Sequence, residues 1–224
     1  MLNTNIRKMG LCAWFMKHHT IEFFSSLKLQ KFLFFYESYS FAMNDDVDMS
    51  YLTGYKNGPV FTDVYGDYTY RYSEFKNHLL TIYDETKEKF NALDISIDMD
   101  IAKKAAFLVS ILSESELSDL SHSFDVWKVK EARIESGEKQ VRLNSFDFSE
   151  NDKVLARNLY DLYSLEQINN WEIISVNNMK FLIDLKQKEL LTEELEASLQ
   201  ELSKQELDNP VYISIENGVI VVDD

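Results

Sequence analysis

Cysteine is nearly absent: Cys12 is the only one in 224 residues, so neither an intramolecular disulfide nor a Cys-rich zinc site can form. A reducing compartment suits such a chain, and the expected location is cytoplasmic. Proline, at 2, and glycine, at 6, are also scarce, which argues against a turn-rich β-sandwich and for helices joined by short links. Positive charge is in deficit, since 23 Lys and Arg face 38 Asp and Glu and leave a formal net charge of -15. That field repels a phosphate backbone instead of releasing counterions from it, so nucleic acid is not an expected partner. The same charge permits an acidic chain to mimic DNA towards a basic protein. No uncharged apolar run approaches the length of a bilayer span. The stretch after Arg7 and Lys8 is broken by Lys17, His18 and His19 and has no small-residue cleavage site, so neither a membrane span nor a secretory signal is expected.

A hydrophobic content of 45% supports a sizeable core in one generous domain, or in one domain with an appended subdomain. The expected class is mainly α. Apolar spacing predicts a first helix over 5–17 and a second over 24–41. In the second, Leu29, Phe32, Leu33, Tyr36 and Ser40 share one face, whereas Phe34 and Phe41 lie off it beside Gln30 and Glu37. A helix aromatic on several sides is either a central helix covered by neighbours or the carrier of an exposed partner-binding ridge. After the polar Asn44-Asp45-Asp46 turn, an extended piece reaches Tyr55. Asn57-Gly58-Pro59 then reads as an elbow into a helix over 60–68, because glycine accepts positive φ and proline suits a first helical turn.

Further helices are expected over 72–90, over 98–112 and from the Ser113-Glu114-Ser115-Glu116 capping-box pattern onward, with a charged loop over 133–139 around Gly137. Residues 151–164 again read as helix. Beyond about residue 165 the pattern becomes an acidic helical extension, with amphipathic stretches over 179–191 and 192–207. It ends in a β-hairpin whose Asn217-Gly218 turn joins β-branched strands. The expected organisation is a domain over 1–165 and an extension over 166–224.

Three segments, in order, carry a family likeness. The first is Leu29-Gln30-Lys31-Phe32-Leu33-Phe34-Phe35-Tyr36. The second runs from Tyr55 through Lys56-Asn57-Gly58-Pro59-Val60 to Val64-Tyr65, and the third is Leu117-Ser118-Asp119-Leu120-Ser121-His122 followed by Trp127. Together they resemble the Panacea antitoxin domain, whose members include SocA-like and phage-associated GepA-like proteins. The likeness covers residues 5 to 163; Tyr55 replaces a usual tryptophan, Ser121 a usual threonine, and Val126 a frequent proline. It implies a cytoplasmic, mostly helical, non-enzymatic antitoxin that neutralises a co-encoded toxin by direct contact. Under that reading Leu29, Gln30, Lys31, Gly58, Pro59, His122 and Trp127 are structural motif residues. Phe34 and Phe41 are the expected partner anchors, with Lys56 and Asn57 as a polar rim.

Residues with intrinsic chemistry are few. Cys12 reads as a small core residue, because an acidic chain does little to lower a thiol pKa. His18 and His19 point apart on a helix and lack a third ligand, so no metal and no other cofactor is expected. His122 is the strongest single candidate, and the expectation for it is a backbone bond at a helix end with packing on Trp127. His78 stands alone. Asp98, Asp100, Glu114 and Glu116 are explained by helix N-termini without acid–base work. No catalytic residue is assigned, and an unrecognised hydrolase is the reading with least support, behind antitoxin and DNA mimic.

Overall fold

Helix α3, Ser26–Asn44, is the axis of the larger of two units in the computed structural model, which describes residues 1–84, 89–90 and 97–223. Ser25 starts the helix by accepting the Lys28 N–H at 3.1 Å, the N-cap role that small hydroxyls fill. Asp45, at φ 51, ends it in the left-handed conformation that aspartate tolerates. Between these ends every residue from Leu29 to Ser40 is buried, so the helix needs cover on all sides.

Two earlier helices, α1 (Ile6–His18) and α2 (Thr20–Phe23), begin that cover. Phe15 of α1 lies flat on Phe32, with ring centroids 4.2 Å apart. Strands β1 (Leu52–Tyr55) and β2 (Gly58–Phe61) follow, then α4 (Thr62–Tyr70), α5 (Tyr72–Ile82) and the short pair β3 (Tyr83–Asp84) and β4 (Lys89–Phe90). Next come α6 (Met99–Ile111), α7 (Glu114–His122), α8 (Asp125–Lys128), α9 (Glu131–Glu135), β5 (Val141–Arg142) and α10 (Glu150–Asp161). β2, α7 and α10 pack directly on α3. The larger unit comprises Met1–Val109 and Glu114–Leu162 and is mainly helical.

Several expectations need correction here. Phe34 is not a surface anchor: it is fully buried, edge-on to Phe35 and Phe124 at 5.5 and 5.1 Å. Phe41 is half-buried, against Phe148 at 5.3 Å and beneath the Lys153 ammonium at 4.4 Å. The helix is aromatic on several sides because several neighbours cover it. Gly58 and Pro59 do not open a helix either. They begin β2, which pairs antiparallel with β1 through Tyr55↔Gly58 and Gly54↔Pro59, and the helix starts only at Thr62. Proline is tolerated because the sheet order β2-β1-β5 leaves β2 at an edge. The expected helix over 72–90 ends at Ile82, and its part over 85–88 lies outside the described residues. Residues 131–135, within and beside the expected loop, form α9.

The smaller unit, Ser110–Ser113 with Tyr163–Asp224, is built on a sheet and not on helices. After α11 (Leu165–Asn170) come β6 (Trp171–Val176), β7 (Met179–Asp184), a 3-10 turn over Leu185–Leu190, α12 (Glu193–Leu202), β8 (Val211–Glu216) and β9 (Val219–Asp223). The four strands run in the order β6-β7-β8-β9, with β7 and β8 parallel and the other pairs antiparallel. The helix expected over 179–191 is therefore overturned. Phe181, Leu182 and Ile183 are all buried because β7 is a central strand, and a short apolar run of that kind carries no period that separates strand from helix. α12 lays Leu195 and Leu199, one turn apart, onto Phe181, Ile183, Val211 and Ile213. Asn217 and Gly218, both at positive φ, connect β8 to β9.

Short helix α8 places Trp127, whose side chain is 2% exposed. Buried Asp152 of α10 accepts the N–H groups of Asp125 and Val126, satisfying the first donors of α8 from outside the helix. Trp127→Ala is expected to cost about 3–5 kcal/mol in urea unfolding, the range for emptying a packed tryptophan site. Unchanged stability in that variant contradicts the packing described.

Candidate functional site

The three motif segments meet at the turn between β1 and β2. Trp127 Nε1 donates to Tyr55 O at 3.1 Å. The His122 ring hydrogen-bonds the Lys56 backbone. Lys31 Nζ donates to Asn57 O, and to Ser121 Oγ at 2.7 Å. The last residue of β1 and the two turn residues after it are thus held through their main chain by three side chains from α3, α7 and α8. His122 and Trp127 are themselves stacked, with centroids 3.9 Å apart and planes 20° apart, so the two rings act as one support.

Gly58 makes the close approach possible. Its φ is +98, and a Cβ there would collide with Lys31 Nζ and Ser121 Oγ, so both conformation and space require glycine. One residue before Lys31, Gln30 Oε1 accepts the Phe61 N–H at 2.7 Å and fixes the far end of β2. Gln30 and Lys31, placed together in the sequence, therefore hold the last residue of β2 and the turn residue just before it.

Beside this grip lies an open cleft of ≈ 410 Å³, lined by Ser26, Leu27, Gln30 and Lys31 of α3, by Tyr55, Lys56 and Asn57 of the turn, and by Pro59, Val60 and Tyr65. Lys56, Asn57, Tyr55 and Tyr65 are exposed at its rim. Lys31 is 1% exposed, and burial pushes its ammonium down to about 7. At neutral pH the amine is therefore partly uncharged, and two N–H groups suffice for its two oxygen partners. Ser121 Oγ completes the relay by donating to Ser118 O at 2.8 Å. Burial, and then the nearby Lys31 charge, hold the His122 imidazole below its usual range.

A second polar cluster ties α1 to α3 and the segment that follows it. Arg7 clamps buried Glu37 with two bonds of 2.9 Å, and Glu37 also accepts the Asp48 N–H at 2.8 Å. Lys8, wholly buried, reaches Asp48 at 2.8 Å. Asp67 of α4 accepts from the Asn3 and Thr4 N–H groups at 2.7 and 2.8 Å, anchoring the N-terminal strap. Every one of these groups faces another protein group, and the cluster reads as a fastening.

The other chemistry-bearing residues are dispersed. Cys12 is buried, and burial together with the Asp63 charge holds its thiol well above the ordinary range, the opposite of nucleophile activation. His18 bonds Tyr83 OH at 3.0 Å, whereas His19 is pushed down to about 4 by burial and by His18. His78 is exposed. Asp98 accepts the N–H groups of Asp100 and Ile101 at 3.0 and 3.2 Å, a helix-start role for α6. Among the described residues no group of three or more His, Cys, Asp or Glu is arranged to hold a metal ion. Sequence reasoning missed Ser26, Leu27, Tyr55, Val60 and Tyr65 as cleft residues. It also missed the acceptor role of Ser121, although a Gln-Lys pair inside an apolar helix signals buried donors that need partners.

The lowered Lys31 pKa has a definite sign in stability. Unfolding returns the amine to its ordinary value of 10.5, so the unfolded chain binds more protons between about pH 7 and 10.5 and the native state gains as pH rises through that window. Wild type should gain on Lys31→Met, which lacks the titration, by on the order of 1 kcal/mol per pH unit there. Parallel stability–pH curves for the two proteins are the contrary result.

No protein-family model, curated protein or solved structure matches this chain.

Proposed function

We propose that this chain is a Panacea-type antitoxin, a non-enzymatic binding protein that neutralises a co-encoded toxin by occluding it. The observation that carries the reading is the convergence of three motifs far apart in sequence on one turn. Lys31, His122 and Trp127 lie on separate elements, yet each holds one residue of Tyr55-Lys56-Asn57. A framework that fixes the backbone of an exposed turn suits recognition, because a preorganised surface loses little entropy on binding. The rim is of the right kind as well. Tyr55 and Tyr65 are 40% and 39% exposed beside Lys56 and Asn57, and tyrosine supplies large contact area with few rotatable bonds.

The proposed surface is accordingly the β1–β2 turn and its cleft, with Tyr55 and Tyr65 in place of Phe34 and Phe41 and with Lys56 and Asn57 retained. The test is co-expression with the product of the neighbouring gene. Wild type should rescue growth and co-purify with that product, and Tyr55→Ala/Lys56→Glu/Tyr65→Ala should weaken the complex by at least about a hundredfold if two tyrosine anchors are lost. Absence of a complex with any neighbouring product overturns the antitoxin reading. Full rescue by the folded triple variant overturns this surface alone.

A further inference from the structure

The cleft beside Lys31 holds more donor capacity than the protein uses. Gln30 is 2% exposed and spends its carbonyl oxygen on Phe61 N–H, while its Nε2 is buried with no partner among the described residues. An amide that keeps two N–H groups unsatisfied in a protein interior is costly, and in a residue lining an open cleft it marks a place for an acceptor. Lys31 tells the same story. Its nitrogen meets two oxygens, Asn57 O and Ser121 Oγ, so the protonated amine has a third N–H to give. The cleft is also lined by Ser26 and Leu27 from the first turn of the 19-residue α3, the positive end of its dipole. Of the remaining walls, Pro59, Val60, Tyr55 and Tyr65 are apolar or aromatic, and Lys56 and Asn57 form a polar, positively charged edge.

We propose that this cleft binds a carboxylate carried on an apolar or aromatic stem, with Lys31 Nζ and Gln30 Nε2, both closed over in the free protein, turning towards the cleft to donate to its oxygens and Tyr55 and Tyr65 flanking the stem. Two adjacent donors suit the two oxygens of a carboxylate; a phosphate dianion presents more oxygens than these side chains meet. The cleft volume of ≈ 410 Å³ falls in the range of about 300–1,000 Å³ that small-molecule sites occupy. A carboxylate would bind here whether or not the chain's protein partner is a toxin.

Binding also takes up a proton. Lys31 titrates at about 7 in the free protein because it is buried, and an adjacent carboxylate favours its charged form. The titratable groups facing it are His122 of α7, held below its usual range by burial and by Lys31 itself, and Lys56 and Tyr55 of the turn with Tyr65 of α4 around the cleft. None of these is acidic, so a carboxylate ligand does not displace a counter-ion of the protein.

The probes are 3-phenylpropionate and its neutral amide, followed by NMR of the lysine side-chain methylenes in the 224-residue chain. The acid should bind, raise the Lys31 pKa and lose affinity by up to about tenfold per pH unit above 7, while the amide binds at least about tenfold more weakly. Gln30→Glu keeps an oxygen for Phe61 N–H, removes the free donor and adds like charge, so it should abolish binding while retaining the fold; Lys31→Met should abolish it too. An N-acetyl dipeptide ending in phenylalanine, with a free or an amidated C-terminus, separates the sources. Much tighter binding of the free-ended peptide than of 3-phenylpropionate assigns the site to a chain terminus, and equal binding assigns it to a small organic acid. No shift of the Lys31 signals with any of these acids, equal binding of acid and amide, or unchanged affinity from about pH 6 to about pH 8.5 overturns the proposal.

Discussion

The structure of the larger unit depends on how the turn between β1 and β2 is held. A two-residue turn exposes its carbonyl groups, and water normally satisfies them. Here Trp127, His122 and Lys31 do so instead, at Tyr55, Lys56 and Asn57 in succession. Each of those side chains must then be positioned by something else. Asp152 holds the start of the helix that carries Trp127, Ser121 orients the Lys31 amine, and Gly58 leaves the gap in which amine and hydroxyl meet. The turn is therefore the point on which α3, α7, α8 and β2 agree.

That arrangement also explains why a helix buried on every side carries Gln30, Lys31 and Glu37. A buried polar side chain is stabilising only when its partner is fixed, and each of the three has one: β2 for Gln30, the turn for Lys31, and Arg7 with the Asp48 backbone for Glu37. The aromatic residues supply cohesion through Phe15 on Phe32 and Phe34 on Phe124, while the polar ones set which element lies against which part of the helix. Apolar packing alone would leave that choice loosely specified. The surplus donors on Gln30 and Lys31 are the exception, and they line the cleft.

What the sequence made readable follows from what is local. Capping residues and 3.6-residue periodicity located α1, α3, α6 and α10 closely, and the β-branched run around Asn217-Gly218 pointed to extended chain. The helix expected over 179–191 failed because Phe181-Leu182-Ile183 is a run without period, and only the partner strands β6 and β8 decide its state. The same limit applied to Gly58-Pro59. Gly-Pro is compatible with a helix start and with an edge strand, and pairing with Gly54 and Tyr55 selected the strand. Phe34 and Phe41 lie off the apolar spacing of the helix, but that spacing says nothing about cover on the other faces, which here comes from Phe124 and Phe148. The cleft was invisible to local reasoning, since it joins α3 to the turn and α4 through tertiary contact alone.

A turn fixed from beneath, with aromatic and polar groups free above it, is a surface ready to bind. Hydrogen–deuterium exchange of the full chain, alone and with the neighbouring gene product, tests that claim most directly. The account predicts added protection in the segment from Tyr55 to Tyr65. Protection confined to the strands of the smaller unit, with Tyr55 to Tyr65 unchanged, would contradict it.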